Sequence, residues 1–522
     1  MTIISTSTPG PQGLSAYQIW LEAGNTGTQA QFLAAIVGAA GTNGTNGTNG
    51  TNGNTIWNGA GTSTMLPGLG ENGDFFLDTT HSTIYGPKAA AQWPGTGTAL
   101  IGPTGLQGNP GANAKWQVGQ THQGFVATRC MYFNSQSTGN QFNSRSLHYA
   151  RTNISQIGID LANWTVDYAH PPTGEHPLGQ DGTVTATVEY PLGTILGRFT
   201  WGGSTSGTLN DFSTTSSDLI TLSSAIPNGA LFAIREFRTY PSGGPDVVPC
   251  CFTGGNGNGG MAIASGDAFE YGTSLSDRTG TAGSFTTTTP LVFSRPIAIW
   301  GPLNTPSYAL IGDSRVVGLQ DDCTVSSPYL DMGEFGRSVG PVRGYGTFAF
   351  TGEELIQLLS VVGISQSGGG NVNSFPQNGY AMRGAVIRKR ATHVLSNYGI
   401  NDVFNGGSNV NPQNVLAMQN WLRDQFPAQW FYGATMPSFT VPGNPAVTWN
   451  ANVNASTLNP VNNQLLSGFT NNDGVYDIAG FLQSPNRKLG VWANSSWVGP
   501  DGIHETAAAL AALASSGVIV VQ

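Results

Sequence analysis

Tyr308-Ala309-Leu310-Ile311-Gly312-Asp313-Ser314-Arg315 joins a short apolar run directly to a glycine, an aspartate and a serine. The apolar run predicts a buried strand, and the residues after it predict a sharp turn. Gly-Asp-Ser alone is a weak signal, because Asp and Ser side chains often bond their own backbone in turns. A serine in this position becomes a candidate nucleophile only if a base is available elsewhere in the chain.

A candidate base and a group to orient it occur near the C-terminus. Pro500-Asp501-Gly502-Ile503-His504-Glu505 places a carboxylate three positions before a histidine. An imidazole can take the proton of a serine hydroxyl, and a carboxylate can hold that imidazole in the required tautomer. The alternative interpretation of Asp501-Gly502 is a simple turn ahead of a helix that begins near Glu505. With Ser314 upstream, the chain order is Ser, Asp, His.

A third segment offers a donor for the oxyanion of acyl transfer. Thr392–Tyr398 is expected to form a buried strand, and Gly399-Ile400-Asn401-Asp402 follows it directly. The amide of Asn401 is then placed to donate to the developing negative charge, which is usually the largest electrostatic contribution to catalysis. Asp313 and Asp402 are interpreted as structural groups that bond loop backbone, because neither is spaced to orient His504.

From about Ser307 onward, these motifs resemble those of the SGNH (GDSL-like) hydrolases. The resemblance implies a flavodoxin-like three-layer α/β fold and an esterase, lipase or carbohydrate-deacetylase activity. It also implies that Ser314 is the nucleophile, that His504 is the base and that Asp501 orients the base. The oxyanion hole would contain the Ser314 N–H, the Asn401 amide and a glycine N–H. Arg315 stands where the family nickname has a leucine.

The glycine of the oxyanion hole is predicted to be Gly368, within the glycine-rich segment 363–370. Gly363 and Gly369 are alternatives, because the run of glycines lets the register of the loop shift. No metal or other cofactor is expected, since a serine, a histidine and an aspartate suffice for this chemistry.

Strands and helices are predicted to alternate through residues 305–522, which indicates an α/β domain. Glu353–Leu359 and Glu505–Ser515 are predicted helices, and another is expected to begin at Pro412, after a capping asparagine. Gln429–Met436 is predicted to be a strand. Because all proposed catalytic groups lie in this one segment, it is expected to hydrolyse small esters without the rest of the chain.

The composition is unusual for a cytosolic enzyme. The length of 522 residues allows about three or four domains, and only 9% of the residues are charged while 73 are glycine. Such a composition is typical of β-rich extracellular or virion fibres. The formal net charge of −9 argues against nucleic acid as a partner. Neither a secretory signal at the N-terminus nor insertion into a membrane is expected.

Glycine recurs at every third position in residues 41–53 and 102–111. Only glycine fits the crowded axis of a collagen-like triple helix, so this period predicts three chains and therefore a homotrimer. A flexible linker is an equal alternative for the first tract, which lacks proline. A small β unit is expected at 72–87, between the two tracts of the region 41–113.

Residues 1–40 are predicted to form an attachment module with two short helices, within Ser15–Gly24 and Thr28–Gly38. The module resembles one at the N-terminus of phage tail fibres, which implies contact with phage tail or baseplate proteins. Residues 114–304 are predicted to form a β-sandwich or jelly roll, with strands such as Thr183–Tyr190 and Leu231–Phe237.

Three tryptophans in this β-domain have two interpretations. Trp116, Trp164 and Trp201 are candidate platforms for sugar rings. A tryptophan in a β-sandwich belongs more often to the core.

These features predict a phage tail fibre or tailspike, located in the virion after assembly in the bacterial cytoplasm. Its C-terminal domain is predicted to be a serine esterase that removes acyl groups, chiefly O-acetyl, from bacterial surface polysaccharide such as capsule or O-antigen. One alternative is a receptor-binding fibre that recognises glycan without catalysis. Another is a collagen-like cellular surface esterase.

Overall fold

The computed structural model divides the chain into two compact units, Met1–Asn113 and Ala114–Gln522, which are described separately. The residues that it describes are 15–36, 53–61, 65–100, 115–131, 134–136, 139–166, 175–241, 247–249, 251–252, 266–280, 285, 292–322, 327, 329, 331–355, 381–406, 412–448, 455–468, 470–483 and 490–522.

The first unit contains two helices and a small sheet. The helices Ala16–Glu22 and Gln29–Ala35 agree with the sequence prediction, and each begins with a capping box. The sheet has four strands, in the order Ile56–Gly59, Phe75–Asp78, Thr83–Tyr85 and Thr98–Ala99. Apart from Gly53, both glycine-repeat tracts lie outside the described residues, so their collagen-like structure stays a prediction.

Two antiparallel sheets account for much of the second unit before residue 305. The first sheet is built on Ile154–Val166, which pairs with Glu175–Pro177, Ala298–Leu303, Ser213–Ser216 and Ile220–Ile226, while His122–Phe125 pairs with Ala298–Leu303. The second sheet has the order Ile195–Arg198, Gly182–Glu189, Leu231–Thr239, Gln141–Tyr149 and Ala268–Gly272, and Gly207–Leu209 also pairs with Gly182–Glu189. Two short pairs join Asn134–Gln136 to Val247–Pro249 and Cys251–Phe252 to Val292–Phe293.

The two antiparallel sheets pack through a shared apolar layer. Ile157 and Leu161 of the first sheet lie in one buried cluster with Val184 and Ile234 of the second. This sheet-on-sheet packing is the arrangement expected of a β-sandwich. The strands Gly182–Glu189 and Leu231–Thr239 lie where alternating sequence patterns predicted them.

Two of the three tryptophans proposed as sugar platforms are buried, and the third packs against the cluster between the sheets. Trp164 has none of its surface exposed, and Trp116 is 9% exposed. Trp201 is half-buried against the cluster between the sheets. For Trp164 and Trp116, burial therefore favours the core interpretation over the sugar-binding one.

A six-stranded parallel sheet forms the centre of the second unit. Its order is Gly474–Tyr476, Trp430–Ala434, His393–Ser396, Tyr308–Ile311, Tyr345–Thr347 and Cys130–Met131. The five strands from Tyr308 onward are numbered here in chain order. Read across the sheet from Tyr345–Thr347 to Gly474–Tyr476, they have the order 2-1-3-4-5, which is the flavodoxin-like order. The edge strand Cys130–Met131 lies in the chain between His122–Phe125 of the first antiparallel sheet and Gln141–Tyr149 of the second, and the sequence patterns did not predict it.

Helices cover both faces of the parallel sheet. Ala309 and Ile311 face the layer that contains the helices Ala381–Arg390, Pro412–Asp424 and Ala455–Leu466. Tyr308 and Leu310 face the layer that contains the helices Gly333–Val339, Ile478–Gln483 and Ala507–Ser516. Because successive residues of a strand point to opposite faces, both faces are apolar and both are covered.

The remaining described elements are short. They comprise the helices Ser314–Val317 and Ile400–Gly406, the 3-10 turn Ser495–Trp497, and a hairpin of Thr440–Val441 with Asn444–Thr448. The C-terminal helix begins later than predicted, at Ala507, because Thr506 caps it. Most of the helix predicted from Glu353 lies outside the described residues. None of the helices described is long and apolar enough to cross a membrane.

Buried charge pairs join the first antiparallel sheet to the helix Ala381–Arg390, which covers the parallel sheet. Arg390 donates to both carboxylate oxygens of Asp160, at 2.7 and 2.8 Å. Arg383 donates to Glu175 at 3.1 Å and to both carboxylate oxygens of Glu353, at 2.9 and 2.6 Å. All five side chains are almost wholly buried. The described residues on either side of position 305 therefore share one interior.

Residues 305–522 without residues 114–304 are expected to lack stable structure, contrary to the sequence-based expectation that this segment hydrolyses small esters alone. The truncation takes Asp160 from Arg390 and Glu175 from Arg383, and breaking one such buried pair costs about 3–5 kcal/mol. A domain of this size has only about 5–15 kcal/mol of total stability. Circular dichroism during heating should show a cooperative transition for residues 114–522 and none for 305–522. Similar cooperative transitions for both fragments would contradict this expectation.

Candidate active site

The turn after Tyr308–Ile311 presents Ser314 at the end of a central strand. Gly312 has φ +148°, and a Cβ there would lie 1.9 Å from Asn397 Oδ1, so only glycine fits. Asp313 caps the short helix Ser314–Val317 by accepting a hydrogen bond from Arg315 N at 3.1 Å. As the first residue of that helix, Ser314 has a backbone N–H without an intrahelical acceptor. That N–H is therefore available to an oxyanion.

Ser314, His504 and Asp501 form a continuous chain of hydrogen bonds. Ser314 Oγ lies 2.7 Å from His504 Nε2, and His504 Nδ1 lies 2.6 Å from Asp501 Oδ2. Since a carboxylate only accepts, Nδ1 carries the proton and Nε2 is left to accept from the serine hydroxyl. Ser314 is 8% exposed and His504 7%. The arrangement fits a nucleophile, a base and a group that orients the base.

Asp501 is held as an anion by several donors. Its Oδ1 accepts from the N–H groups of Ile503 at 2.9 Å and His504 at 3.1 Å, while its Oδ2 also accepts from Gln320 Nε2 at 3.3 Å. Burial alone would raise the pKa of Asp501, but the hydrogen bonds from His504 and the backbone lower it to about 2. Asp501 is therefore negatively charged at neutral pH. The sequence patterns gave no indication of Gln320.

The amide of Asn401 is oriented by the backbone of Glu353. Its Nδ2 donates to the carbonyl oxygen of Glu353 at 3.1 Å and approaches Asp313 Oδ2 only to 3.5 Å. An amide has two N–H groups, so one is held by Glu353 and the weakly engaged other can serve an oxyanion. Gly368 and its alternatives Gly363 and Gly369 lie outside the described residues, so the third donor stays a prediction.

Asp313 and Asp402 bond backbone, as the sequence interpretation expected. Asp313 accepts from Arg315 N, and Asp402 Oδ2 accepts from Leu355 N at 2.9 Å. Asp313 is completely buried, and this burial raises its pKa.

Arg315 connects the serine turn to the histidine turn. Its Nη2 donates to the carbonyl oxygen of Ile503 at 2.8 Å, and its Nη1 lies 3.2 Å from Glu505 Oε1 and 3.9 Å from Glu334 Oε1. Burial raises the pKa values of Glu505 and Glu334, and the charge of Arg315 opposes that rise. The residue after the nucleophile thus binds both neighbours of His504, a role that the sequence did not reveal.

A second buried network lies behind Asn401. Glu353, whose carbonyl oxygen holds the Asn401 amide, uses its carboxylate to bind Arg383 and the hydroxyl of Tyr398. Arg383 in turn binds Glu175 of the first antiparallel sheet, and Glu175 also accepts from the N–H groups of Met382 and Arg383. The first antiparallel sheet is therefore linked to Asn401 through Arg383 and Glu353. Sequence patterns missed this network, because bonded partners within it lie up to 208 residues apart.

No family model matches the chain, and no curated protein matches it. Among solved structures, it is similar to a peptidoglycan O-acetylesterase, at 10% identity over 78% of this chain and 80% of that one, with a TM-score of 0.30. It is also similar to a family two carbohydrate esterase from Clostridium thermocellum in complex with cellohexaose, at 11% identity over 76% of this chain and 97% of that one, with a TM-score of 0.27.

A GDSL-like lipase from Bacteroides thetaiotaomicron is similar at 13% identity over 41% of this chain and 87% of that one, with a TM-score of 0.26. All three TM-scores are below 0.5, so the functional proposal below rests on the geometry of the site. Among the residues that the structure describes, no group of three His, Cys, Asp or Glu side chains is placed to hold a metal ion.

Asn401→Ala is expected to lower kcat about 10²–10³-fold with a smaller effect on KM, because its hydrogen bond strengthens only when the carbonyl oxygen becomes charged. Steady-state kinetics with p-nitrophenyl acetate measure both constants. Asn153→Ala is the matched control, because it changes an exposed asparagine just before the strand Ile154–Val166. An unchanged kcat in the Asn401 variant would show that this amide is not an oxyanion donor.

Proposed function

We propose that this chain is a serine esterase of the SGNH (GDSL-like) type that removes O-acetyl groups from bacterial surface polysaccharide. The observation that carries the proposal is the unbroken hydrogen-bond chain from Ser314 through His504 to Asp501. Such a chain makes a serine hydroxyl nucleophilic at neutral pH. It also distinguishes this proposal from a fibre that only recognises glycan, since recognition does not need an aligned serine and imidazole.

In the proposed first half-reaction, Ser314 Oγ attacks the acetyl carbonyl carbon while His504 Nε2 takes the hydroxyl proton. The carbonyl oxygen becomes an anion and accepts from the Ser314 N–H and the Asn401 amide. Asp501 stabilises the imidazolium through Nδ1. His504 then gives its proton to the sugar oxygen, which leaves as an alcohol.

In the second half-reaction, a water molecule replaces the sugar beside His504. The imidazole removes a proton from this water, and the resulting hydroxide attacks the acetyl-Ser314 ester. The second oxyanion uses the same donors as the first. Its collapse releases acetate, and His504 returns the proton to Ser314.

The proposed substrate and location are supported by the composition of the chain and by its glycine-repeat tracts. Low charge, abundant glycine and two tracts with glycine at every third position are typical of fibres that act outside the cell. We propose that the chain belongs to a phage tail fibre or tailspike in the virion, bound through its N-terminus to tail or baseplate proteins. Its substrate would be an O-acetylated capsule or O-antigen, and the mechanism requires no cofactor.

Ser314→Ala is expected to lower ester hydrolysis by about 10³-fold or more, because the variant lacks the attacking oxygen. Hydrolysis of p-nitrophenyl acetate measures the rate, and acetate release from O-acetylated host polysaccharides tests the substrate class. Ser515→Ala, on an exposed part of the C-terminal helix, is the matched control. Equal rates in wild type and the Ser314 variant would overturn the assignment of the nucleophile.

The full chain is expected to be a trimer in solution. Three chains are needed to place glycine at the axis of a collagen-like helix, and three linked sites strengthen attachment to a repetitive polysaccharide. Light scattering of the full chain should therefore give three times the mass of one chain. Removal of residues 1–113 should lower the number of chains per particle. A monomeric full chain would contradict the fibre proposal and leave the esterase proposal intact.

A further inference from the structure

A short antiparallel pairing joins His504 to a turn that contains Trp497. Gly499 N donates to His504 O at 2.8 Å, Thr506 N donates to Trp497 O at 2.9 Å, and Val498 and Glu505 form the bridge between them. Trp497 ends the 3-10 turn Ser495–Trp497. The backbone of Trp497 is thereby fixed relative to the proposed catalytic base.

This pairing brings the backbone of Trp497 close to that of His504. Val498 is 8% exposed and Glu505 1%, so these two side chains point into the interior. Gly499 and His504, which pair next to the bridge, therefore point the opposite way, and the backbone of Trp497 lies diagonally across from His504. Diagonal neighbours in such a pairing are about 7–8 Å apart, within the reach of an aromatic side chain.

Gly499, whose N–H donates to His504 O, leaves room for a neighbouring side chain. A Cβ at Gly499 would lie 3.2 Å from Cγ of Gln320, the residue whose amide donates to Asp501. The absence of a side chain at Gly499 thus lets Gln320 reach the proposed orienting carboxylate. The segment that carries Trp497 and Gly499 therefore contacts both His504 and Gln320.

The ring of Trp497 is held in place but keeps exposed surface. It stacks on Phe481, with ring centroids 5.2 Å apart and planes at 20° to one another. Both rings are half-buried at the margin of the cluster that contains Val498. The residues just before it, Asn494, Ser495 and Ser496, are exposed and carry amide and hydroxyl groups.

We propose that Trp497 is a stacking platform for the pyranose ring whose acetyl group Ser314 attacks. A flat ring with a fixed orientation presents apolar area to the C–H face of a sugar at little entropic cost. The adjacent polar turn supplies partners of the kind that sugar hydroxyls bind. This inference rests on the proposed esterase function and adds the residue that binds the sugar ring of the substrate.

The contact acts on the sugar and not on the acetyl group, so its effect depends on the substrate. Pairs of aromatic rings are worth roughly 0.5–1.5 kcal/mol, and a ring–sugar contact of the same strength corresponds to about 2- to 13-fold in affinity. Loss of the ring should therefore raise KM for an acetylated sugar about 2- to 13-fold. Triacetin, which contains acetyl esters but no sugar or aromatic ring, should be hydrolysed as before.

The test compares wild type, Trp497→Leu and Trp497→Phe on methyl 6-O-acetylglucopyranoside, acetylated xylo-oligosaccharides and triacetin. Leucine keeps apolar volume against Phe481 without a flat ring, whereas phenylalanine keeps a ring. The expected result is a higher KM for both sugars in the leucine variant only, with kcat and KM for triacetin within about twofold of wild type. Trp57→Leu, in the first unit, is the matched control and should change nothing.

An unchanged KM for both sugars in the leucine variant would overturn the proposal. An equal loss on sugars and triacetin would also overturn it, because it would show that Trp497 only supports the structure around His504. Failure of the esterase proposal has a different signature, since wild type would then hydrolyse neither sugar esters nor triacetin. Circular dichroism of each variant confirms that the compared proteins are folded.

Discussion

Parallel pairing of Tyr308–Ile311 with His393–Ser396 is the constraint on which the site depends. Parallel strands end at the same edge of a sheet, and these two lie where the strand order reverses direction. The turns that follow them, at Gly312–Ser314 and Asn397–Asn401, are consequently brought together. Asn397 fixes the distance between the turns, because its Oδ1 accepts from Asp313 N at 3.2 Å while its Nδ2 donates to Glu334 at 2.8 Å.

Buried charges hold the remaining parts around that edge. Arg315 joins the serine turn to the histidine turn, and Arg383 joins the loop behind Asn401 to the antiparallel sheets. Such pairs add little net stability compared with apolar packing, yet they become costly to disrupt once formed. Their role here is positioning, because Arg315 fixes the turns that carry Ser314 and His504, and Arg383 fixes Glu353, whose carbonyl oxygen holds the Asn401 amide. The antiparallel sheets are thus a support of the site as well as a neighbouring layer.

The sequence predicted the parts of the site that depend on local patterns. Asp501 and His504 are three positions apart, Ser314 follows an apolar strand at once, and both features are visible without a fold. The C-terminal helix and the helix at Pro412 were predicted from composition and capping residues. The Asn401 motif was found in the same way, since it directly follows a run of buried residues.

Features that depend on distant residues were not predictable. Glu175, Glu353 and Arg383 carry no shared local motif, and their pairing appears only when two sheets pack together. The strand Cys130–Met131 has two residues, which is too short to produce a periodic pattern. Trp497 and Trp164 look alike in sequence, yet one is half-buried against Phe481 and the other is fully buried in the cluster that contains Ala309.

The central claim is that Ser314 is a nucleophile activated by His504. Its most direct test is treatment of the full chain with a fluorophosphonate, followed by mass spectrometry of the peptides. Since this reagent reacts with activated serine hydroxyls, a single phosphonyl group on Ser314 is predicted, with little or none in His504→Ala. An unmodified Ser314, or modification of a different serine, would contradict the account.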